Sequence, residues 1–158
     1  MIYLGADHRG FELKEKIKSW LSDWGYEFQD MGAFEYNKDD DYPDFATAVA
    51  TAVALSLPAV SQPNPSKGES VKGILVCGSG IGVAIVANKV KGVRAGTAAS
   101  AEQVRASVND EDLNILSLSA NYTSEEQAKE ITKTFLETQF SGAERHVRRI
   151  NKIKELEK

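Results

Sequence analysis

The stretch Lys72 to Asn88, KGILVCGSGIGVAIVAN, constrains the fold more than any other part of the chain. Its opening run, Gly73-Ile74-Leu75-Val76-Cys77, is apolar throughout and short, which suits a strand buried on both faces of a parallel sheet. A glycine-rich turn follows, Gly78-Ser79-Gly80-Ile81-Gly82, and then an apolar, helix-compatible segment from Val83 to Val90. Glycines let a backbone turn tightly and come close to a ligand. A new helix adds unpaired N–H groups and the positive end of its dipole. The stretch therefore predicts strand, turn and helix, with the turn as a cradle for an oxyanion or phosphate. Cys77, the only cysteine, stands where the cradle begins. A thiol beside a helix N-terminus is biased toward thiolate. The same position equally suits a small buried hydrophobe. The turn also lacks the third glycine of G-x-G-x-x-G and the Lys-Ser/Thr of a P-loop, so it names no particular nucleotide.

The flanking sequence repeats the strand–helix alternation. Met1 to Ala6 reads as a buried strand, and Phe11, Leu13, Ile17, Trp20, Leu21 and Trp24 recur at helical spacing up to a capping Gly25. Asp7-His8-Arg9 then lies at a strand's C-terminal edge, where open parallel sheets bind ligands. Asp7 also suits a helix cap there, and His8 a polar surface position. Tyr26 to Met31 is a second strand. Asp39-Asp40-Asp41 is read as a solvated loop, because adjacent carboxylates with no other ligand type nearby make a poor metal site. Tyr42-Pro43-Asp44 opens a second helix with an apolar face of Phe45, Val49, Val53 and Leu57.

Residues 58–71, PAVSQPNPSKGESV, form a proline-rich surface loop, an insertion ahead of the central strand. Beyond the centre come a short strand at Gly92 to Thr97, a helix from Ser100 to Asp110 and a strand from Leu113 to Leu118. A helix from Thr123 to Phe140 follows, with a capping box at Thr123 and Glu126. The tail, residues 144–158, is a helix carrying Arg145, His146, Arg148 and Arg149 at its start. Its stripe of Val147, Ile150, Ile153 and Leu156 needs a surface to pack on. Alternating strands and helices predict an α/β protein: a three-layer α/β/α sandwich on a five-stranded parallel sheet, Rossmann-like and doubly wound. One domain spans 1–158, a length and a 42% hydrophobic content that supply a proper core.

Composition removes several function classes. A net charge of −4 gives no basic footprint for nucleic acid or an anionic membrane surface. No apolar run approaches membrane-spanning length, and no signal-peptide pattern leads the chain. A lone cysteine forms no intrachain disulfide, which fits a cytoplasmic protein. Two histidines, with no H-x-x-x-H or C-x-x-C spacing, leave no credible metal-ligand set.

Four motifs together resemble the B-type sugar-phosphate isomerases, which include ribose-5-phosphate isomerase B and the galactose-6-phosphate and allose-6-phosphate isomerases. They are GADHRGFELKE at the start, DYPDFA after the acidic loop, GILVCGSGIGVAIVANKVKGVRA in the centre and ERHVRRI near the end. The resemblance covers nearly the whole chain. It implies a cofactor- and metal-independent aldose–ketose isomerase of the pentose phosphate pathway, interconverting D-ribose 5-phosphate and D-ribulose 5-phosphate through an enediolate. It also implies a homodimer, or a tetramer, with sites shared between subunits through the C-terminal helix.

Carried over residue by residue, Cys77 matches the base that removes the C2 proton, and Asp7 matches the acid that moves protons at the sugar oxygens. Gly78, Ser79, Gly80, Ile81 and Gly82 match the loop that stabilises the enediolate, with Ser79 keeping the hydroxyl of a more common threonine. His8, Arg145 and Arg149 match phosphate-binding positions. Tyr42 and Asn109 lie in motifs that line the pocket, and His146 falls within the basic motif. One position departs from the pattern: Asp110 stands where the ribose enzymes carry a ring-opening histidine. It either takes over as acid/base or signals a different aldose phosphate, such as allose or galactose 6-phosphate. A phosphate-binding module without catalysis is the remaining alternative. A cysteine phosphatase would require C-x5-R, whereas Val83 follows Cys77 by six positions.

Overall fold

The computed structural model describes residues 1–57 and 70–157. Most of the proline-rich loop, 58–69, lies outside the described residues. The central strand is buried along its whole length, because helices cover both faces of the sheet around it. In chain order the elements are β1 (Ile2–Ala6), α1 (Phe11–Asp23), β2 (Phe28–Asp30), α2 (Tyr42–Ser56), β3 (Lys72–Cys77) and α3 (Ile81–Ala87). They continue with β4 (Ala95–Thr97), α4 (Ala101–Glu111), β5 (Ile115–Ser119), α5 (Glu125–Glu137) and α6 (Glu144–Leu156).

The strands form one parallel sheet in the order β2-β1-β3-β5-β4. Strand alternation divides the core. Ile2, Leu4, Ala6, Ile74, Val76, Leu116 and Leu118 pack under α1, α4 and α5, against Leu13, Ile17, Val104, Ile131 and Phe135. Leu75, Cys77 and Ile115 point the other way, under α2 and α3, against Val49, Val53, Val83 and Ala87. The expected doubly wound sandwich is therefore the fold. The order reverses at β1: α1 leads from β1 to one side, whereas α2 carries the chain back across to β3 on the opposite face. That reversal opens a crevice at the C-terminal ends of β1 and β3.

Two buried lysines fasten the sheet to its helices. Lys14 on α1 is fully buried, and its Nζ donates to both oxygens of Asp30 at 2.7 Å and to the Ala33 carbonyl at 2.6 Å. Burial alone would raise the Asp30 carboxyl, but hydrogen bonds from Lys14, Lys18 and the Gly32 N–H outweigh it and hold the pKa below the usual value. Lys72 begins β3 and donates to the carbonyls of Phe135 and Thr138, which end α5. It caps a helix whose last carbonyls lack helical partners.

Some element ends differ from the sequence reading. β2 is limited to three residues, because the chain leaves it at Met31 and Gly32 to hydrogen-bond along the end of β1. α3 begins at Ile81, inside the glycine turn, and stops at Ala87. α5 starts one residue later than its expected cap: Ser124 accepts from Gln127 N–H, and the Gln127 side chain returns to the Ser124 N–H. The structure thus replaces the Thr123/Glu126 box with Ser124/Gln127. Ser100 caps α4 as expected. α6 ends at Leu156.

Burial pushes Lys72 down from its ordinary 10.5 to about 8, with Asp112 pulling against the shift. The folded chain then binds this proton more weakly than the unfolded chain. The cost of burying the charge is full below pH 8 and is relieved as pH rises toward 10.5. Measured against Lys72→Met, the unaltered chain should gain up to about 3 kcal/mol of unfolding free energy across that window. The difference between urea unfolding curves at each pH reads this directly; a constant difference would mean the ammonium is buried without penalty.

Candidate active site

The register of the two central strands sets the site. Ala6 pairs with Val76, so Asp7 and Cys77 are the next residues on adjacent parallel strands. Such strands lie about 4.8 Å apart. Cys77 is 5% exposed, and its Sγ accepts the Gly80 N–H at 3.2 Å. Gly80 reaches that point only in a left-handed conformation, φ 75°. A Cβ there would meet the Leu118 carbonyl carbon at 3.0 Å. The Thr97 hydroxyl donates to the Gly80 carbonyl at 3.3 Å and fixes the turn from β4. Ser79 is exposed at the tip, and its Oγ accepts the Ile81 N–H at 3.2 Å as α3 begins. Gly82 lies against Tyr42: a Cβ at Gly82 would stand 2.9 Å from the ring. The first residue of α2 is thereby brought to the wall of the cradle.

Asp7 combines both readings of it. Its Oδ1 accepts the Gly10 N–H at 2.9 Å, closing the turn ahead of α1, while the residue stays buried at the strand edge beside Cys77. His8 follows at that edge. Its ring Nδ1 is 2.7 Å from Asp40 Oδ1, and its backbone N–H donates to the same oxygen at 3.0 Å. Asp40 is therefore not part of a solvated acidic run: its side chain is 8% exposed, while Asp39 and Asp41 remain at the surface. Among the described residues no group of three or more candidate ligands could hold a metal ion.

Two neighbours of the site, Asp40 and Asn121, were missed in the sequence, and a third, Arg9, was placed at the strand edge without a role. Asp40 lay inside what reads as a charge run. Arg9 and Asn121 flank Gly78, close enough that a Cβ there would stand 2.8 Å from Arg9 Cδ and 3.2 Å from Asn121 Nδ2. Arg9 adjoins Asp7 and His8 and was open to notice. Asn121 follows β5, and only the β3–β5 pairing brings it to the turn.

A second set of expected residues gathers elsewhere. Asn109 and Asp110 close α4, which starts near the turn and runs about 16 Å away from it. The Ser141 N–H donates to the Asn109 carbonyl at 3.1 Å, and His146 Nε2 is 3.6 Å from Asp110 Oδ1. His146 is buried against α4, not displayed with the basic cluster, because it shares the inner face of α6 with Ile150. Arg145 and Arg149 stay exposed beside it. This group belongs to the edge of the sheet where β3 begins. Six residues of strand, a rise of about 16 Å, separate that edge from Cys77.

One edge thus holds a thiol, a carboxylate and an imidazole around a glycine turn, an arrangement able to move protons and hold an anion. Comparison with known proteins agrees with such chemistry. The Ribose/Galactose Isomerase family model matches residues 2–153. The chain is 37% identical over 157 residues to "Ribose-5-phosphate isomerase B" of Mycolicibacterium paratuberculosis, covering 99% of this chain and 91% of that one. It is similar to the structure of ribose-5-phosphate isomerase B from Mycoplasma genitalium with bound ribulose-5-phosphate: TM-score 0.88, 35% identity, 99% and 95% coverage. The Clostridium thermocellum ribose-5-phosphate isomerase B structure gives a TM-score of 0.86 at 38% identity, with 99% and 96% coverage.

Gly80→Ala should cost about 1–3 kcal/mol of stability, from the positive φ and the backbone contact together. It should also withdraw the amide from Cys77 Sγ. A thermal melt reads the first effect and alkylation kinetics of the thiol the second; an unchanged melting temperature would show that the turn relaxes freely.

Proposed function

The chain belongs to the ribose/galactose isomerase family, and from that premise we propose that it interconverts D-ribose 5-phosphate and D-ribulose 5-phosphate through an enediolate, with Cys77 as base. The observation that carries the reading is that Asp7 and Cys77 follow the paired Ala6 and Val76 at the ends of β1 and β3, with Cys77 Sγ accepting the Gly80 N–H of the glycine turn. Aldose–ketose isomerisation needs a base for the proton α to the carbonyl, donors for the developing oxyanion, and a group to move a proton between O1 and O2. The Cys77 thiolate takes the C2 proton and becomes the thiol, leaving the enediolate. Asp7 carries the proton between the two oxygens. The thiol then returns its proton to C1, and the ketose leaves with every atom accounted for. Backbone donors of residues 78–82, with the Ser79 hydroxyl, hold the enediolate oxygens; one such donor is typically worth about 3 kcal/mol. His8 binds the phosphate, whose remote binding energy positions the sugar. Tyr42 lines the pocket wall.

Asn109, Asp110, Arg145 and Arg149 complete the site from a second copy of the chain. Their distance from Cys77 within one chain supports this, since neither group can cross the sheet. So does the surface of α6, where Val147 and Ile153 are 39% exposed and Leu156 is 85% exposed. Ile81 and Ile85 on α3 are exposed as well, next to the cradle that the second copy would cover. Asp110, in contact with His146, then serves as the acid/base for opening the furanose. The described residues contain no helix long and apolar enough to cross a membrane. The proposed setting is the cytoplasm, where sugar phosphates are held.

Cys77→Ala should abolish turnover of ribose 5-phosphate, and exchange of its C2 hydrogen with solvent deuterium, while leaving sugar-phosphate binding within about tenfold. Near-normal turnover would remove Cys77 from the role of base. Mixing Cys77→Ala with Arg145→Ala/Arg149→Ala and re-equilibrating the subunits should rebuild about a quarter of the sites, because each mixed dimer holds one intact site of two. No recovery, with mixed dimers confirmed by native mass spectrometry, would place the arginines outside the partner's site.

A further inference from the structure

Asp40 is buried at a cost. Its Oδ1 accepts two hydrogen bonds from His8, one from the backbone N–H at 3.0 Å and one with ring Nδ1 at 2.7 Å. Its Oδ2 is buried with no partner. A carboxylate oxygen removed from water and left unpaired is penalised. The backbone bond alone would tether the loop, so the ring bond points to a second task.

An ionised carboxylate only accepts hydrogen bonds, so Nδ1 must donate. The ring is then held through Nδ1, and Nε2 is the nitrogen left for a ligand; a phosphate oxygen accepts only from a protonated Nε2, so the ring meets a phosphate as the imidazolium, with Asp40 as its counter-charge. Tyr36, from the same loop, packs edge-on against the imidazole, with ring centres 6.4 Å apart and planes at 86°. Tyr36 is itself braced by Phe11 of α1 at 6.5 Å. Two loop residues thus fix the orientation of a ring that is 24% exposed beside Asp7.

We propose that Asp40 is a positioning residue: its carboxylate holds the Nδ1–H of a His8 imidazolium and aims the Nε2–H at the phosphate of the substrate. The proposal rests on the assignment of His8 to the phosphate made above. It gives the acidic loop a specific task, since Asp40 sits two residues before Tyr42, whose ring lies against Gly82. It also distinguishes the three adjacent aspartates, of which only the middle one turns inward.

The test compares His8→Ala, Asp40→Ala, Asp40→Asn and the double alanine variant. The readouts are KM and kcat with ribose 5-phosphate, the inhibition constant of inorganic phosphate, and the protonation of the two His8 ring nitrogens by long-range proton–nitrogen NMR. His8→Ala and Asp40→Ala should each weaken phosphate inhibition and raise KM about ten- to a hundredfold, with a smaller change in kcat. The double variant should be no worse than His8→Ala alone, because Asp40 acts through the ring. Asp40→Asn keeps an oxygen that accepts both N–H groups, and should recover most of the binding. With phosphate bound, both ring nitrogens of His8 should carry protons in the unaltered chain, whereas Asp40→Ala, which lacks the carboxylate partner of Nδ1, should hold the doubly protonated ring less well. Additive losses in the double variant would overturn the proposal. So would an Asp40→Ala chain that melts earlier yet binds phosphate normally while His8→Ala does not. An active enzyme in which His8→Ala leaves phosphate inhibition unchanged would overturn the phosphate assignment itself. Absence of any ribose 5-phosphate turnover would instead overturn the proposed activity.

Discussion

The parallel pairing of β1 with β3 is the constraint on which the rest of the structure depends. It aligns Ala6 with Val76 and so sets Asp7 next to Cys77. Crossovers leave these two strands in opposite directions along the sheet, with α1 covering one face and α2 and α3 the other. Among the described residues, the gap between them is where strand-end side chains are not roofed by a direct connection. A slip of one residue in that register would reverse the pleat of β1 against the core and separate the pair.

Around that gap, polar groups are buried where they hold backbone in place. Lys14 ties α1 to Asp30 and to the Ala33 carbonyl, and the chain leaving β2 is thereby held along the end of β1. From there the loop runs out to Asp40 and returns to His8. Lys72 does comparable work at the opposite edge, where it gathers the last carbonyls of α5. Charged groups left without partners in such places would destabilise the chain by several kcal/mol. Paired, they convert burial into fixed geometry.

On the function proposed above, the two edges of the sheet carry different parts of one chemistry. The β3 C-terminal edge holds the thiol, the carboxylate and the imidazole. The other edge holds the α6 arginines beside Asp110 and His146. The proposed site is divided across two copies of one sheet, so that a helix with an incompletely buried apolar stripe would serve assembly and substrate binding together. The basic start of α6 places cations near the positive end of the helix dipole, and a bound phosphate would offset that arrangement.

Much of this was legible in the sequence, for reasons that can be located. The strand–glycine–helix pattern at 72–88 is local: apolar run length, glycine spacing and helical periodicity each act over a few residues, so the central unit and the doubly wound sheet could be read directly. The positions of Cys77, Asp7 and His8 at strand ends were legible because strand ends can be counted. The capping of α5 was misplaced by one residue because Thr123 and Ser124 carry equivalent hydroxyls, and only helix geometry selects between them. Asp40 was invisible because its burial comes from a contact across 32 residues, which no local pattern encodes. Arg9 and Asn121 reach Gly78 through strand pairing, and His146 turns inward through its packing on α4. The sequence by itself determined which segments are strands and helices and where the strand end that carries Cys77 lies, since those follow from short-range periodicity and backbone freedom. Tertiary structure alone decided which polar side chains are buried, which share an edge, and that Cys77 and Arg145 stand on opposite edges of the sheet, because those depend on register and packing between residues far apart in the chain.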